Sequence, residues 1–407
     1  MQIIEGGVTA AKGFSAANTA AGIKYKDRDD MAMIASDVPC VVAGTYTKNV
    51  VKAAPVIWDR AITRDKGAAQ AVVINAGIAN ACTGTEGMEA CQRTAACAAK
   101  ALDLKADDVL VASTGVIGMQ LPVDKLESGI RAMAPQLSKH IDAGHKAARA
   151  IMTTDTKPKE AAVTVDIDGV AVTVGGMCKG SGMIHPNMGT MLSFITTDAA
   201  ITKELLQKAL SDTVEDTYNM ISVDGDTSTN DTCVVLANGL CGNPVIDREG
   251  RDYETFKEAL SYVNETLAKK MAGDGEGATA LFETKVIGAR NKEEAKILAK
   301  SVITSNLTKA AIFGHDANWG RILCALGYAG VEFDPEAVDI TVTSAAGTIS
   351  LVKCGVACDY SEEEATKILG EEAVTVICDM KQNDGTACAW GCDLTYDYVK
   401  INADYRS

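Results

Sequence analysis

MCKGSGMIHPNMGTMLSFITTDA (Met177–Ala199) packs Lys179, Gly180, Ser181, Gly182, Pro186, Asn187, Gly189 and Thr190 together and then becomes apolar at Met191-Leu192-Ser193-Phe194-Ile195. Dense turn chemistry followed without a spacer by a short apolar run reads as a loop entering a buried strand. Thr190 stands at that junction. The ordinary reading of Gly189-Thr190 is a turn feeding a core strand. The other reading is a nucleophile exposed by self-cleavage. A threonine hydroxyl is a weak nucleophile until a base is adjacent, and a freed α-amine on the same residue supplies one. The hydroxyl attacks the preceding carbonyl, the acyl group moves from N to O, and water completes the break. The β-branch limits χ1 and aims the hydroxyl, while glycine before it admits a strained backbone.

Outward from this junction, strands and helices alternate. Ala71–Gly77 reads as a strand, Gly87–Leu102 as an Ala-rich helix, Asp108–Ser113 as a strand and Val123–Leu137 as a helix. Ala161–Gly176 alternates with period two about Asp168-Gly169, a hairpin signal. After Thr190 come helix Thr202–Thr217, strand Cys233–Leu236, helix Tyr253–Ala272, strand Thr279–Ala289 and helix Glu293–Ser305. Strand Ala310–Phe313, helix Trp319–Tyr328 and a strand-rich tail from Val338 to Asn402 complete the chain. This mixed order predicts an α/β fold of layered α+β sheets rather than a pure doubly wound sheet.

Composition narrows the function. The chain has 407 residues, 47% hydrophobic and 23% charged, with a formal net charge of -15. An acidic surface without a basic cluster argues against nucleic acid and against an anionic membrane. The start, MQIIEGGVTAAKGF, lacks the pattern of a secretory signal. No apolar run approaches the ~18 residues that span a bilayer, so a cytoplasmic protein is expected. Thirteen cysteines in such a chain read as reduced thiols. Cys354/Cys358 and Cys388/Cys392 invite a metal reading, but neither pair has C-x2-C spacing, and no metal is expected.

Two further stretches carry chemistry. STGVIG (Ser113–Gly118) is either a strand-to-helix turn or an oxyanion hole built from turn amides and a nearby hydroxyl. GDGEGATA (Gly273–Ala280) loosely matches G-x-G-x-x-G/A, but a helix precedes it and Glu276 would repel phosphate. A carboxylate held in a glycine loop suits an ammonium group instead. His140, His145, His185 and His315, the four histidines, form no familiar nucleophile–base motif.

Taken in order, GGVTAAKGF, ASTGVIG, KGSGMIHPNMGTML, DGDTSTNDT, GDGEGAT, GHDANWGRI and the ending INADYRS resemble the ornithine acetyltransferase family, the glutamate N-acetyltransferases of the cyclic arginine pathway. The likeness runs through essentially the whole chain. It implies the fold of the self-processing ornithine acetyltransferase and aminopeptidase group. It also implies self-cleavage between Gly189 and Thr190 into an alpha chain, 1–189, and a beta chain, 190–407. The implied catalytic residues are Thr190 as nucleophile and Thr114 and Gly115 as oxyanion hole. The implied substrate contacts are Thr153, Lys179, Thr190, Glu276, Asn402 and Ser407. The family usually has Ala at the position of Gly189, often Ala at that of His185, and Thr at that of Ser407; Gly189 keeps the small side chain and Ser407 keeps the hydroxyl.

The resemblance further implies transfer of acetyl from N2-acetylornithine to glutamate by a ping-pong route through an acetyl-threonine. No cofactor is needed, and acetyl-CoA stays open as a co-substrate. The expected partners are amino-acid substrates and the two cleaved chains, two of each in a heterotetramer. Two rivals remain: a self-processing amidase or aminopeptidase of the related fold, passing the acyl group to water, and a non-enzymatic amino-acid-binding protein in which Thr190 is an ordinary strand residue.

Overall fold

A computed structural model describes residues 1–185 and 191–404. Its described residues fall into two compact units: one within Met1–Gly180, Pro186–Asn219 and Thr227–Leu267, the other within Ser181–His185, Met220–Asp226 and Ala268–Ser407.

The first unit is built on a sheet of nine strands among the described residues: β1 (Gln2–Ile4), β2 (Phe14–Thr19), β3 (Met31–Tyr46), β4 (Ala68–Ile78), β5 (Val109–Val116), β6 (Lys159–Ile167), β7 (Val170–Lys179), β8 (Leu192–Thr197) and β10 (Thr232–Ala237). Their order is β1-β6-β7-β8-β10-β3-β4-β5, with β2 added beside β3. The pairs β4–β5 and β8–β10 are parallel and the rest antiparallel. Mixed pairing follows from the connections: Asp168-Gly169 closes the β6–β7 hairpin with both residues at positive φ, while the parallel neighbours need long crossovers.

Both faces of this sheet are covered. Along β3, β4 and β5, Ala32, Ile34, Val72, Ile74, Leu110 and Ala112 join one core with Ala147, Ala148 and Ile151. The alternate residues Met31, Met33, Ala71, Val73, Val109 and Val111 join a second with Cys91, Ala95, Leu126 and Ile130. Side chains two apart share a face; burying both faces explains why these strands read as continuous apolar runs rather than alternating ones. The helices of this unit are α1 (Ala54–Ala61), α2 (Gly84–Leu102), α3 (Val123–Met133), α4 (Ile141–Ala150) and α5 (Lys203–Asp216). The chain then runs into α6 (Arg251–Gly273).

The second unit carries a seven-stranded sheet among the described residues: β9 (Ile221–Ser222), β11 (Leu281–Ala289), β12 (Asp339–Ser344), β13 (Gly347–Lys353), β14 (Val356–Ala357), β15 (Ala373–Asp379) and β16 (Gly385–Cys392). Its order is β14-β13-β12-β15-β11-β16-β9. Its helices are α7 (Lys292–Thr304), α8 (Asn306–Phe313), α9 (Trp319–Gly327), α10 (Glu362–Leu369) and α11 (Tyr396–Ala403).

The layered mixed architecture agrees with the sequence reading. The strand expected at Ala310–Phe313 is instead the end of α8. Ser305 caps that helix by accepting a bond from the Thr308 amide, and Ala311 and Ile312 of the run AAIF are buried together with Thr308 and Lys309. The strand-rich tail also holds α10 and α11, capped by Ser361 and Thr395. None of the thirteen cysteines is in a disulfide. Among the described residues no group of three or more His, Cys, Asp and Glu is placed to hold a metal, and no helix is long and apolar enough to cross a membrane.

Candidate active site

The STGVIG stretch ends β5 beside the parallel strand β4. The register between the two shifts at Gly77 and Ile78, and there Gly115 adopts φ +131. A Cβ on Gly115 would lie 2.2 Å from the Gly77 carbonyl carbon and 2.3 Å from its oxygen. Only glycine fits this conformation and this approach. The strand before it is fixed by side-chain bonds. Asn230 donates to the carbonyls of Ala79 (2.6 Å) and Ser113 (2.8 Å), and the Ser113 hydroxyl donates to Asn75 Oδ1 (2.7 Å). The strand end is therefore held on both sides, with Thr114 and Gly115 half-buried above it.

Lys179 ends β7 and is 7% exposed. Its Nζ donates to the hydroxyl oxygens of Thr153 (2.8 Å) and Thr114 (3.3 Å). Three residues expected in the site, drawn from positions 114, 153 and 179, thus meet around one ammonium. Lys179 also faces Leu192 across the antiparallel β7–β8 pair. Strand β8 is wholly buried, and the Met191 carbonyl accepts a bond from the Thr232 amide at 2.8 Å. Gly189, Thr190 and Ser407 lie outside the described residues.

Asp155, which the sequence reading did not single out, sits under this cluster with no side-chain exposure. Its Oδ1 accepts from Lys159 Nζ (2.8 Å) and the Gly180 amide (2.7 Å); its Oδ2 accepts from the Thr153 amide (3.1 Å) and lies 3.7 Å from Lys179 Nζ. Burial pushes the carboxyl up, but the Lys179 and Lys159 ammoniums and the Gly180 amide outweigh it and hold the group well below the usual carboxylate range. The only local signal was an acidic residue four before a lysine in TTDTKPKE, which by itself reads as a solvated turn.

In the second unit the glycine loop after α6 presents Glu276, 6% exposed. Its amide donates to the Ser181 carbonyl (3.0 Å), and Asn402 Nδ2 donates to its Oε2 (2.8 Å). A Cβ on Gly182 would lie 2.3 Å from the Glu276 carboxylate, so the glycine lets the carboxylate pack on the Ser181–His185 backbone. Glu276 and Asn402, both expected substrate contacts, are bonded to each other.

The same segment is held by residues to which the sequence reading gave no role. Asp224 accepts from the amides of Met183 (2.6 Å) and Ile184 (2.9 Å), and the Ser181 hydroxyl donates to the Asp274 carbonyl (2.7 Å). His185 Nδ1 meets the Ser222 hydroxyl at 3.0 Å. Burial, assisted by the Lys300 charge, pushes this imidazole down to about 4, so it is neutral near pH 7. Burial and the nearby Asp224 and Glu276 carboxylates push the Tyr398 phenol up.

The chain as a whole is similar to known proteins. The family described as ArgJ matches residues 15–407. The Arginine biosynthesis bifunctional protein ArgJ 1 of Clostridium acetobutylicum is 52% identical over 400 residues, covering 98% of this chain and 97% of the relative. The Arginine biosynthesis bifunctional protein ArgJ of Symbiobacterium thermophilum is 51% identical over 409 residues, covering the whole of both. Among solved structures, an arginine biosynthesis bifunctional protein ArgJ from Bacillus halodurans is 49% identical with a TM-score of 0.50, covering 52% of this chain and 97% of that one. Matched by the family pattern from residue 15 to its end, and by relatives along its full length, the chain belongs to the ArgJ family.

Proposed function

We propose that this chain transfers the acetyl group of N2-acetylornithine to glutamate, giving ornithine and N-acetylglutamate, after cutting itself between Gly189 and Thr190. The observation that carries the reading is the Lys179 ammonium. It is bonded to the Thr114 hydroxyl at the end of β5, and it faces Leu192, two residues beyond Thr190. The bond from Lys179 to the end of β5 and its pairing with the start of β8 support a shared role for these three stretches.

Thr190, freed by cleavage, attacks the acetyl carbonyl, and its own α-amine takes the hydroxyl proton. The tetrahedral oxygen is stabilised by Thr114 and Gly115. The bond to ornithine nitrogen breaks as the α-ammonium returns the proton, leaving an acetyl ester on Thr190. Glutamate nitrogen then attacks that ester in the reverse sense. Lys179 and Thr153 receive the substrate α-carboxylate, and Glu276, held by Asn402, receives a substrate ammonium. Ser407 completes the substrate set through the family resemblance.

The two cleavage products, residues 1–189 and 190–407, stay together, and two of each form a heterotetramer in the cytoplasm. The solved relative that is covered almost entirely while spanning 52% of this chain supports the cleavage alone, since that share is near that of a single product. No metal or cofactor takes part. The relatives are named bifunctional, which supports a second activity; acetyl-CoA as donor to glutamate is the one the family resemblance offers. The test is to incubate purified protein with N2-acetylornithine, with and without glutamate. N-acetylglutamate formed only with the acceptor supports the transferase, whereas acetate released at an equal rate without it identifies an amidase.

A further inference from the structure

We propose that Asp155 is a positioning residue for acetyl transfer, acting through Lys179; this inference rests on the function proposed above. A lysine side chain has four rotatable bonds and carries ~2 kcal/mol of rotamer entropy. A substrate carboxylate is bound well only if the ammonium is placed beforehand.

Asp155 is built to do that placing. One carboxylate oxygen lies 3.7 Å from Lys179 Nζ and accepts from the Thr153 amide, and the other accepts from the amide of Gly180, the residue after Lys179. A single buried group therefore ties down the ammonium, the backbone beyond its Cα, and the threonine whose hydroxyl the ammonium contacts. Lys159, 1% exposed, donates to the same carboxylate at 2.8 Å and keeps it ionised inside the protein. Thr114 is reached through Lys179, not by Asp155 itself. The arrangement sets the carboxylate-binding and oxyanion-stabilising groups in one rigid cluster without Asp155 touching substrate.

The test is a double-mutant cycle on kcat/KM for N2-acetylornithine with glutamate as acceptor, using wild type, Asp155→Asn, Lys179→Met and the double variant. Asparagine keeps the shape and the amide contacts but removes the charge. If Asp155 acts through Lys179, Asp155→Asn costs about tenfold in the wild-type background, the size of one misplaced charge-assisted contact. It then costs less than about twofold once Lys179 is methionine. Equal losses in both backgrounds, or no loss in either, overturn the proposal.

Because Asp155→Asn leaves two buried ammoniums without their anion, the cycle is repeated in a Lys159→Met background, where removing both members of the ion pair balances the charge. The same non-additivity is expected there, and additive losses overturn the proposal again. The wild-type control separates the two readings. Absence of acetyl transfer by wild type overturns the proposed function and this role with it, whereas transfer by wild type with additive losses overturns the role of Asp155 alone.

Discussion

Replacing Gly115 by alanine should damage both the fold and the chemistry, by amounts the geometry sets. At φ +131 an L side chain is strained by ~1–3 kcal/mol. The new Cβ would also stand 2.2 Å from the Gly77 carbonyl carbon, a backbone atom that cannot swing aside. Relieving that overlap means shifting the β4–β5 register, an overpacking cost of ~1–3 kcal/mol. Gly115→Ala should therefore lose about 2–6 kcal/mol of stability. Gly118 is the internal control: it also has positive φ, at +83, but nothing lies within 4 Å of its Cβ position. Gly118→Ala should lose only ~1–2 kcal/mol. Urea denaturation of the two variants in parallel isolates the clash. Acetyl-transfer rates on the folded fraction should fall about 10²-fold for Gly115→Ala, as when an oxyanion-hole donor is lost, and stay near wild type for Gly118→Ala. If the two variants match in both measurements, the account of the β5 end is wrong.

Other perturbations have distinct signatures. Gly182→Ala places a methyl group against the Glu276 carboxylate and should swing it off Asn402, lowering transfer more than stability; Glu276→Gln should slow transfer while leaving self-cleavage intact, as read by product assay and denaturing electrophoresis. Asp155 is held below its unfolded value of about 3.9, so its contribution is present above that pH and lost as pH falls through the depressed folded value. The charge-balanced Asp155→Asn, Lys159→Met variant should accordingly show a shallower loss of stability than wild type below about pH 4. Asp59 has the opposite sign: burial raises its carboxyl despite the bond from the Val111 amide, and its Oδ2 has no hydrogen-bond partner among the described residues. Its contribution is full below the unfolded value and is lost as pH rises, so Asp59→Asn should raise the urea midpoint at about pH 8 relative to wild type.

Much of the framework was legible because it rests on local rules. The Asp168-Gly169 hairpin, α2, α5, α6, α7 and α9 follow from turn chemistry and periodicity within single segments. Ala310–Phe313 was misread because a four-residue apolar run fits strand and helix equally, and the deciding bond comes from Ser305, upstream of the run. β3 was not read from the sequence: Asp37-Val38-Pro39 carries turn-forming residues, yet it lies at a register shift between β3 and β4 within one continuous strand. Thr114, Thr153, Lys179, Glu276 and Asn402 were expected from family likeness; Lys179 bonds Thr114 and Thr153, and Asn402 bonds Glu276. Asp155 was not singled out, and Asp224 and Asn230 were met only inside the stretch DGDTSTNDT with no role assigned. Each does its work through partners distant in sequence, such as Gly180 for Asp155 and Ser113 for Asn230, and short-range pattern carries no trace of such pairings.

The central claim is that Thr190 carries the acetyl group. Wild-type protein is mixed with N2-acetylornithine in the absence of acceptor, quenched, and its pieces weighed and mapped by mass spectrometry. The account predicts two chains, 1–189 and 190–407, with a single acetyl group on Thr190 of the second that disappears on adding glutamate, and an intact, inactive Thr190→Ala chain. An acetyl group on a cysteine, or full transfer by uncleaved Thr190→Ala, would contradict it.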